Sequence, residues 1–445
     1  MYDACNLELT TAIIYSARVD MTRETLDLPA ELWGNVFTCS FQVDPYSRQN
    51  LTCVNHRFNA IACATPQLWT RLYFTRSHHC RDLELTRTLL QRAGCLPLDV
   101  YVSSHYFAAP LAELLGEYAS RFRFLQVRAL DALDVGILLS LIGQNRPAPL
   151  LEHLSLLCEH KTPNTPILTN VLHPCPRLTS LTTTLSMVPS IGPPSLFSTI
   201  TSFILDTGVS RFTEEAQEGV RALLSQMPHL QVFKLSADAE HGYNLTLFLD
   251  SNRSLYPVPQ LYSVEAMVNN YSIQTITRMY APLLQSVKLN SNPHLDLDDD
   301  TVPGMFCRWI SSASVYGVLR HLSKTSPLIT HLELNFMCTI TPVDSFSWIF
   351  GGEGFPFLEV LSLQSAFDLD NIALPQCTPS PALRRLELLN YQKLPGNALI
   401  DFGKRCSRDF QLKIEGSYLR PEDVAILSSH VGVEYKQDGT CLVSE

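Results

Sequence analysis

A short phrase recurs along most of this 445-residue chain: proline, any residue, an apolar residue, then apolar residues at alternating positions. Full copies start at Pro149, Pro176, Pro228, Pro282, Pro327, Pro356 and Pro381, as in Pro327-Leu328-Ile329-Thr330-His331-Leu332-Glu333-Leu334. Pro259-Gln260-Leu261 followed by Val264 is a weaker copy. Ile200, Phe203 and Leu205 make one without proline, and Phe122, Leu125 and Val127 an early one. The leading apolar residues, at 122, 151, 178, 200, 230, 261, 284, 329, 358 and 383, are mostly 22 to 31 residues apart. That period fits one short strand and one returning segment per copy. Alternation puts both apolar residues of each strand on one face, toward a core, and leaves residues such as Glu152, Lys234, Lys288, Glu333 and Glu387 on the other, concave face. Proline before the strand sits where no ladder donor is needed. A single copy cannot bury its own apolar face, so the copies must stack into a solenoid. The 45-residue step from Leu284 to Ile329 predicts a degenerate copy or an inserted helix. The rival is an ordinary α/β domain whose parallel strands share Pro-x-Leu starts.

Ahead of the clear copies, Leu83, Leu85, Leu89 and Leu90 recur at helical spacing and end at Ala93-Gly94-Cys95-Leu96-Pro97, a helix stop. Leu98-Asp99-Val100-Tyr101-Val102 alternates as a strand. A helix carrying Leu111, Leu114, Leu115 and Tyr118 then leads to the early copy at Phe122. Residues 76–130 therefore read as a junction and an atypical capping repeat, joined rigidly to what precedes them.

What precedes them is a small helical unit. Leu32, Trp33, Val36 and Phe37 share a helical face, and Leu51, Val54, Phe58, Ile61 and Ala62 step by three or four. Thr65 before Pro66 predicts an N-cap with proline in the first turn of a third short helix. Thr38 to Asn50, with Asp44-Pro45 inside it, reads as a long polar connection. So much apolar surface on so few residues implies that part of it is meant for another protein.

Leu28-Pro29-x-Glu31-Leu32-Trp33-x-x-Val36-Phe37, then Leu51-x-x-Val54-x-x-x-Phe58-x-x-Ile61-Ala62, then Pro66-x-Leu68-Trp69, resembles an F-box. The ending with tryptophan after Pro-x-Leu is similar to F-box proteins of mushroom-forming fungi. The resemblance implies docking on a Skp-type adaptor and, through it, on a cullin. Leu28, Pro29, Leu32, Val36, Leu51, Val54 and Phe58 would carry the adaptor contact, while Trp33, Phe37, Ile61 and Trp69 hold the helices together. The repeats resemble the irregular leucine-rich repeats that follow many F-boxes. The asparagine expected after the last leucine, with two residues between, occurs once, at Asn292 after Leu289. The implied fold class is α/β, a small all-helical F-box followed by a leucine-rich-repeat solenoid with parallel strands on the concave face and helices or loops on the convex one. The implied domains are a poorly ordered segment 1–23, an F-box at 24–75, the junction at 76–130 and the solenoid at 131–445.

Composition narrows the function. Apolar residues make 46% and charged residues 17% of the chain, which is a folded protein. A formal charge of −10 and the lack of any long Lys/Arg run argue against a nucleic-acid partner. Thirteen scattered cysteines with no Cys-x-x-Cys pair argue against zinc and against a disulfide scaffold, and fit reduced thiols inside a cell, in cytoplasm or nucleus. No signal peptide and no 18-residue apolar run are legible, so no membrane association is expected. The sequons at Asn50, Asn244, Asn252 and Asn270 then read as chance matches.

Nothing in the sequence demands catalysis. His78-His79-Cys80 is the most metal-like cluster, but adjacent residues converge poorly on one ion, so a surface loop is the better reading. The run Asp296, Asp298, Asp299, Asp300 lacks the glycine and closing glutamate of a calcium loop. Gly351-Gly352-Glu353-Gly354 lacks a phosphate-binding lysine and reads as a flexible loop. We therefore expect no catalytic residues, metal or cofactor; the F-box resemblance implies a substrate-recognition subunit of an SCF-type (Skp–cullin–F-box) ubiquitin ligase whose repeats bind an unknown protein substrate. The alternative is a leucine-rich-repeat interaction scaffold that acts outside a ligase.

Overall fold

The structure, a computed structural model, describes residues 29–43, 47–74, 83–103, 109–144, 146–160, 172–190, 197–207, 214–236, 255–267, 275–290, 312–335, 347–350, 352–364, 379–391 and 394–436. The chain divides into two compact units, residues 1–158 with 162–178, and residues 159–161 with 179–445.

The first unit opens with three helices, α1 (Ala30–Val43), α2 (Ser47–Val54) and α3 (His56–Cys63), and a 3-10 turn at Pro66–Trp69. Then follow β1 (Arg71–Phe74), α4 (Leu83–Arg92), β2 (Leu98–Ser103), α5 (Ala109–Gly116), β3 (Phe122–Asp131), α6 (Ala132–Gly143) and β4 (His153–His160). The strands lie side by side in chain order, β1 parallel to β2 and β2 parallel to β3. Helices α4 to α6 form the returns, and the apolar residues of β1 to β3 (Leu72, Phe74, Val100, Val102, Leu125, Val127) are buried.

Several sequence expectations change here. The polar connection expected from Thr38 is helical as far as Val43. The second helical patch breaks at Asn55, where the backbone turns extended and a new helix starts. Residues 71–74 form a strand, so the segment 24–75 is not all-helical. Thr65 makes no capping bond to the turn it precedes; its hydroxyl donates backward to the Ile61 carbonyl at 2.8 Å. The boundary expected at 130/131 falls in the tight passage from β3 to α6, where Asp131 caps the helix by accepting from the Asp134 N–H at 2.9 Å.

The second unit carries β5 (Ser180–Thr184), β6 (Ser202–Asp206), α7 (Glu214–Ser225), β7 (Val232–Ser236), β8 (Tyr256–Pro257), β9 (Ser263–Met267), β10 (Met279–Tyr280) and β11 (Ser286–Asn290). It continues with α8 (Ser312–Thr325), β12 (His331–Asn335), α9 (Ser347–Phe350), β13 (Val360–Gln364), β14 (Arg385–Leu389), α10 (Gly396–Gly403), β15 (Gln411–Glu415), α11 (Pro421–Ser428) and β16 (Gly432–Lys436). Strands β5, β6, β7, β9 and β11 to β16 form one ladder in chain order, all parallel and in register. β8 and β10 pair separately. A ladder whose every strand neighbours the next one in sequence is consistent with a solenoid and does not fit a doubly wound α/β sheet, where the order reverses.

The recurring proline has a sharper role than expected. In each proline copy but one, the N–H of the leading apolar residue closes a turn on the carbonyl three residues back: Leu151 on Ala148, Leu178 on Cys175, Leu230 on Met227, Leu261 on Val258, Leu284 on Ala281, Leu358 on Phe355 and Leu383 on Ser380. Proline occupies the second position of that turn, where its fixed φ is already correct. The leading residue is buried in every one of these copies. The long step after Leu284 is an inserted helix, α8, since β11 pairs directly with β12. In the second unit's ladder two strands were missed, β15 and β16, because Phe410 and Val431 lead them without a proline.

Candidate docking site

The helical module at residues 29–74 is built around three aromatic rings. Trp33 and Phe37 lie on α1, one turn apart, and Phe58 enters from α3. Ring centroids are 5.7 Å apart for Trp33–Phe37, 4.7 Å for Trp33–Phe58 and 5.1 Å for Phe37–Phe58. α3 starts where it does because Asn55 supplies the cap: its side-chain oxygen accepts from the Phe58 N–H at 2.8 Å. That bond also fixes Phe58 on the inner face. At the far end, the buried Trp69 indole N–H donates to the Ala62 carbonyl at 2.9 Å, and the Arg92 guanidinium sits 4.7 Å above the Trp69 ring. The module is thereby clamped to α4 of its own unit.

α1 is apolar on two faces. Trp33, Phe37 and Phe41 turn inward at four-residue spacing, and Phe37 and Phe41 are buried. Leu32 and Val36, also four apart, turn outward with 48% and 49% of their surface exposed. Val54, the last residue of α2, is 54% exposed. Pro29 is exposed and Leu51 half-buried. Leaving such side chains in water forgoes about 25 cal/mol per Å² of apolar area, so an outward apolar stripe on so small a module is best explained by a partner surface.

Of the residues expected to dock, Pro29, Leu32, Val36 and Val54 thus reach solvent. Leu28 lies outside the described residues. Phe58 is corrected: at 4% exposure, packed between Trp33 and Phe37, it belongs to the core. Phe37, Ile61 and Trp69 are buried. The Trp33 indole N–H is withdrawn from solvent and meets no acceptor among the described residues.

The other sequence candidates gain nothing. His78-His79-Cys80, Asn292 and the acidic run at Asp296–Asp300 lie outside the described residues. Of the glycine-rich stretch, Gly354 is a tight packing position: a Cβ there would stand 1.9 Å from the Trp348 ring. Among the described residues, no group of three His, Cys, Asp or Glu side chains could hold a metal ion, and no helix is long and apolar enough to cross a membrane. The charged residues between the strand leucines are matched to one another: Lys234 meets Glu265 at 2.6 Å and Lys288 meets Glu333 at 2.7 Å.

The family profile described as F-box-like matches residues 25–75. Residues 25–75 are an F-box-like domain. The described part of that domain is the aromatic-cored module with its outward Leu32, Val36 and Val54. Beyond it, no curated protein matches the chain. Among solved structures, a crystal structure of a Bacteroides fragilis protein is similar at 15% identity and a TM-score of 0.30, covering 60% of this chain and 66% of its own length.

Proposed function

We propose that the chain is a non-catalytic substrate-recognition subunit of an SCF-type ubiquitin ligase. F-box domains generally bind Skp-type adaptors, and here the adaptor would lie on Pro29, Leu32, Val36 and Val54, with Leu51 at the margin and Leu28 extending the patch. The observation that carries this reading is the outward apolar stripe of α1 inside a domain that matches the F-box-like family. The repeats would supply the second half of a receptor, parallel strands on which a protein substrate would be held while other subunits transfer ubiquitin. The Trp69 ending supports the resemblance to F-box proteins of mushroom-forming fungi. A cytoplasmic or nuclear location follows from that role.

Co-expression with a Skp-type adaptor, followed by size-exclusion chromatography, tests the proposal. A one-to-one complex that is lost in the double substitution Leu32→Ala, Val36→Ala supports it. A folded chain that elutes alone beside the adaptor would overturn it, and the repeat ladder would then be read as an interaction scaffold outside any ligase.

A further inference from the structure

The ladder of the second unit ends on β16. This strand pairs with β15 along its whole length, from Gly432 beside Gln411 to Lys436 beside Glu415, without a bulge, and among the described residues no strand lies beyond it. The hydrogen bonds tell which main-chain groups point where. The Gly432 N–H donates to the Phe410 carbonyl at 3.0 Å, and the Lys436 carbonyl accepts from the Gly416 N–H at 3.1 Å. Residues 432, 434 and 436 therefore turn their main-chain groups toward β15, and alternation turns those of Val433 and Tyr435 the other way, off the edge of the sheet. Edge groups of this kind are a template for one more strand.

The core is open at the same place. In every other ladder strand of this unit the second and fourth residues are buried, as are Leu386 and Leu388 of β14 and Leu412 and Ile414 of β15. Val433 and Tyr435 hold those positions in β16 and are only half-buried. Ile426, on the α11 helix that packs against β16, keeps 44% of its surface exposed. A stack of repeats is closed by a polar terminal unit, whereas the described ladder ends on apolar side chains and an exposed main-chain edge.

The charges on β16 say what fits that edge. Glu434 and Lys436 flank Tyr435 on the outward face, and each keeps 70% of its side-chain surface beyond its contact on the sheet, Glu434 with Arg385 at 3.8 Å and Lys436 with Glu415 at 3.2 Å. Laid antiparallel against a second β16 and centred on Tyr435, the strand sets each Glu434 opposite a Lys436. Opposite charges on directly facing residues are favourable and like charges are not. In that register the Tyr435 N–H and C=O meet the same two groups of the other copy, the reciprocal pair of bonds that antiparallel strands make. The arrangement is two-fold and closes on itself, unlike head-to-tail stacking of ladders.

We propose that the edge of β16 is a self-association surface, on which two copies of this chain join antiparallel about Tyr435 and continue their ladders as one sheet. Both outward faces then lie on the same side of the joined sheet, so the dimer is bivalent for whatever that face holds. The proposal goes beyond the ligase reading and uses neither the adaptor patch nor a substrate, so either can fail without the other.

Sedimentation velocity of the full-length chain over a range of concentrations is the test. The surface is small, so the expected dimer is weak and concentration-dependent. Glu434→Lys sets like charges opposite each other and should weaken it about fivefold or more. The double variant Glu434→Lys, Lys436→Glu reverses both members of each pair and should bring the dimer back, a rescue that a misfolded chain would not show. A chain that is monomeric at every concentration, the outcome if its own residues or another protein cover the edge, overturns the proposal. So does a dimer indifferent to Glu434→Lys, or one that the double variant fails to restore.

Discussion

Trp33 on α1 and Phe58 on α3 pack with their ring centroids 4.7 Å apart, and this contact divides the apolar residues of the F-box-like domain into a core and a surface. Phe58→Ala empties that contact and should destabilise the domain by about 3–5 kcal/mol. Leu32→Ala with Val36→Ala removes half-exposed side chains and should change stability by less than about 1 kcal/mol, while weakening adaptor binding by about 2 kcal/mol or more. Denaturant unfolding beside an adaptor titration separates the two. Equal stability loss in both variants would mean that the outward stripe is structural.

Asn55 is the stop between α2 and α3 and the start of α3. Asn55→Ala loses the bond to the Phe58 N–H and should cost about 1 kcal/mol, whereas Asn55→Asp, which keeps an acceptor, should cost little. Thermal melts of the three proteins decide it; an Asp variant as weak as the Ala one would show that the cap is not the cause.

The Trp33 indole donor is buried without an acceptor among the described residues. A buried donor left unmade is costly. Trp33→Phe removes that donor together with the five-membered ring, so the gain offsets part of the packing loss and the variant should melt well above Phe58→Ala. A drop comparable to that of Phe58→Ala would reveal an unrecognised partner for the indole.

Tyr73 titrates late. Burial, with the neighbouring Tyr101 adding to it, pushes its phenol from 10.0 up to about 12. The folded state thus holds the proton more tightly than the unfolded one. The stabilisation is complete below pH 10 and is lost as pH rises from 10 through about 12. Denaturation midpoints followed over this window should fall more steeply for the parent than for Tyr73→Phe, which has no proton to lose. Parallel slopes would count against the burial of the phenol.

Much of this architecture could be read from the residues. Strand positions followed from Leu-x-Leu alternation because the central outward residue of most ladder strands lies between two buried ones, a period that survives loose repeat lengths. β15 and β16 escaped because their turns close without proline: the Phe410 N–H bonds the Ser407 carbonyl at 3.1 Å with Arg408 in the proline's place. The break at Asn55 was legible in principle, since asparagine at a helix interior competes for its own backbone, but helical apolar spacing ran through it uninterrupted. Phe58 was misassigned for a related reason. Spacing says which residues share a face, and only packing says which face is inside.

The passage from β11 to β12 carries one further consequence. The chain leaves the ladder after Asn290 and rejoins it at His331 on the very next rung, with Ser286 facing His331 and Asn290 facing Asn335. This connection is forty residues long, against 16 to 26 between the other neighbouring strands of the ladder, and the register is kept. Because closing a longer loop costs only logarithmically more, the ladder has a side port: a place where sequence can be lengthened, shortened or exchanged while the phase of every strand after it is kept.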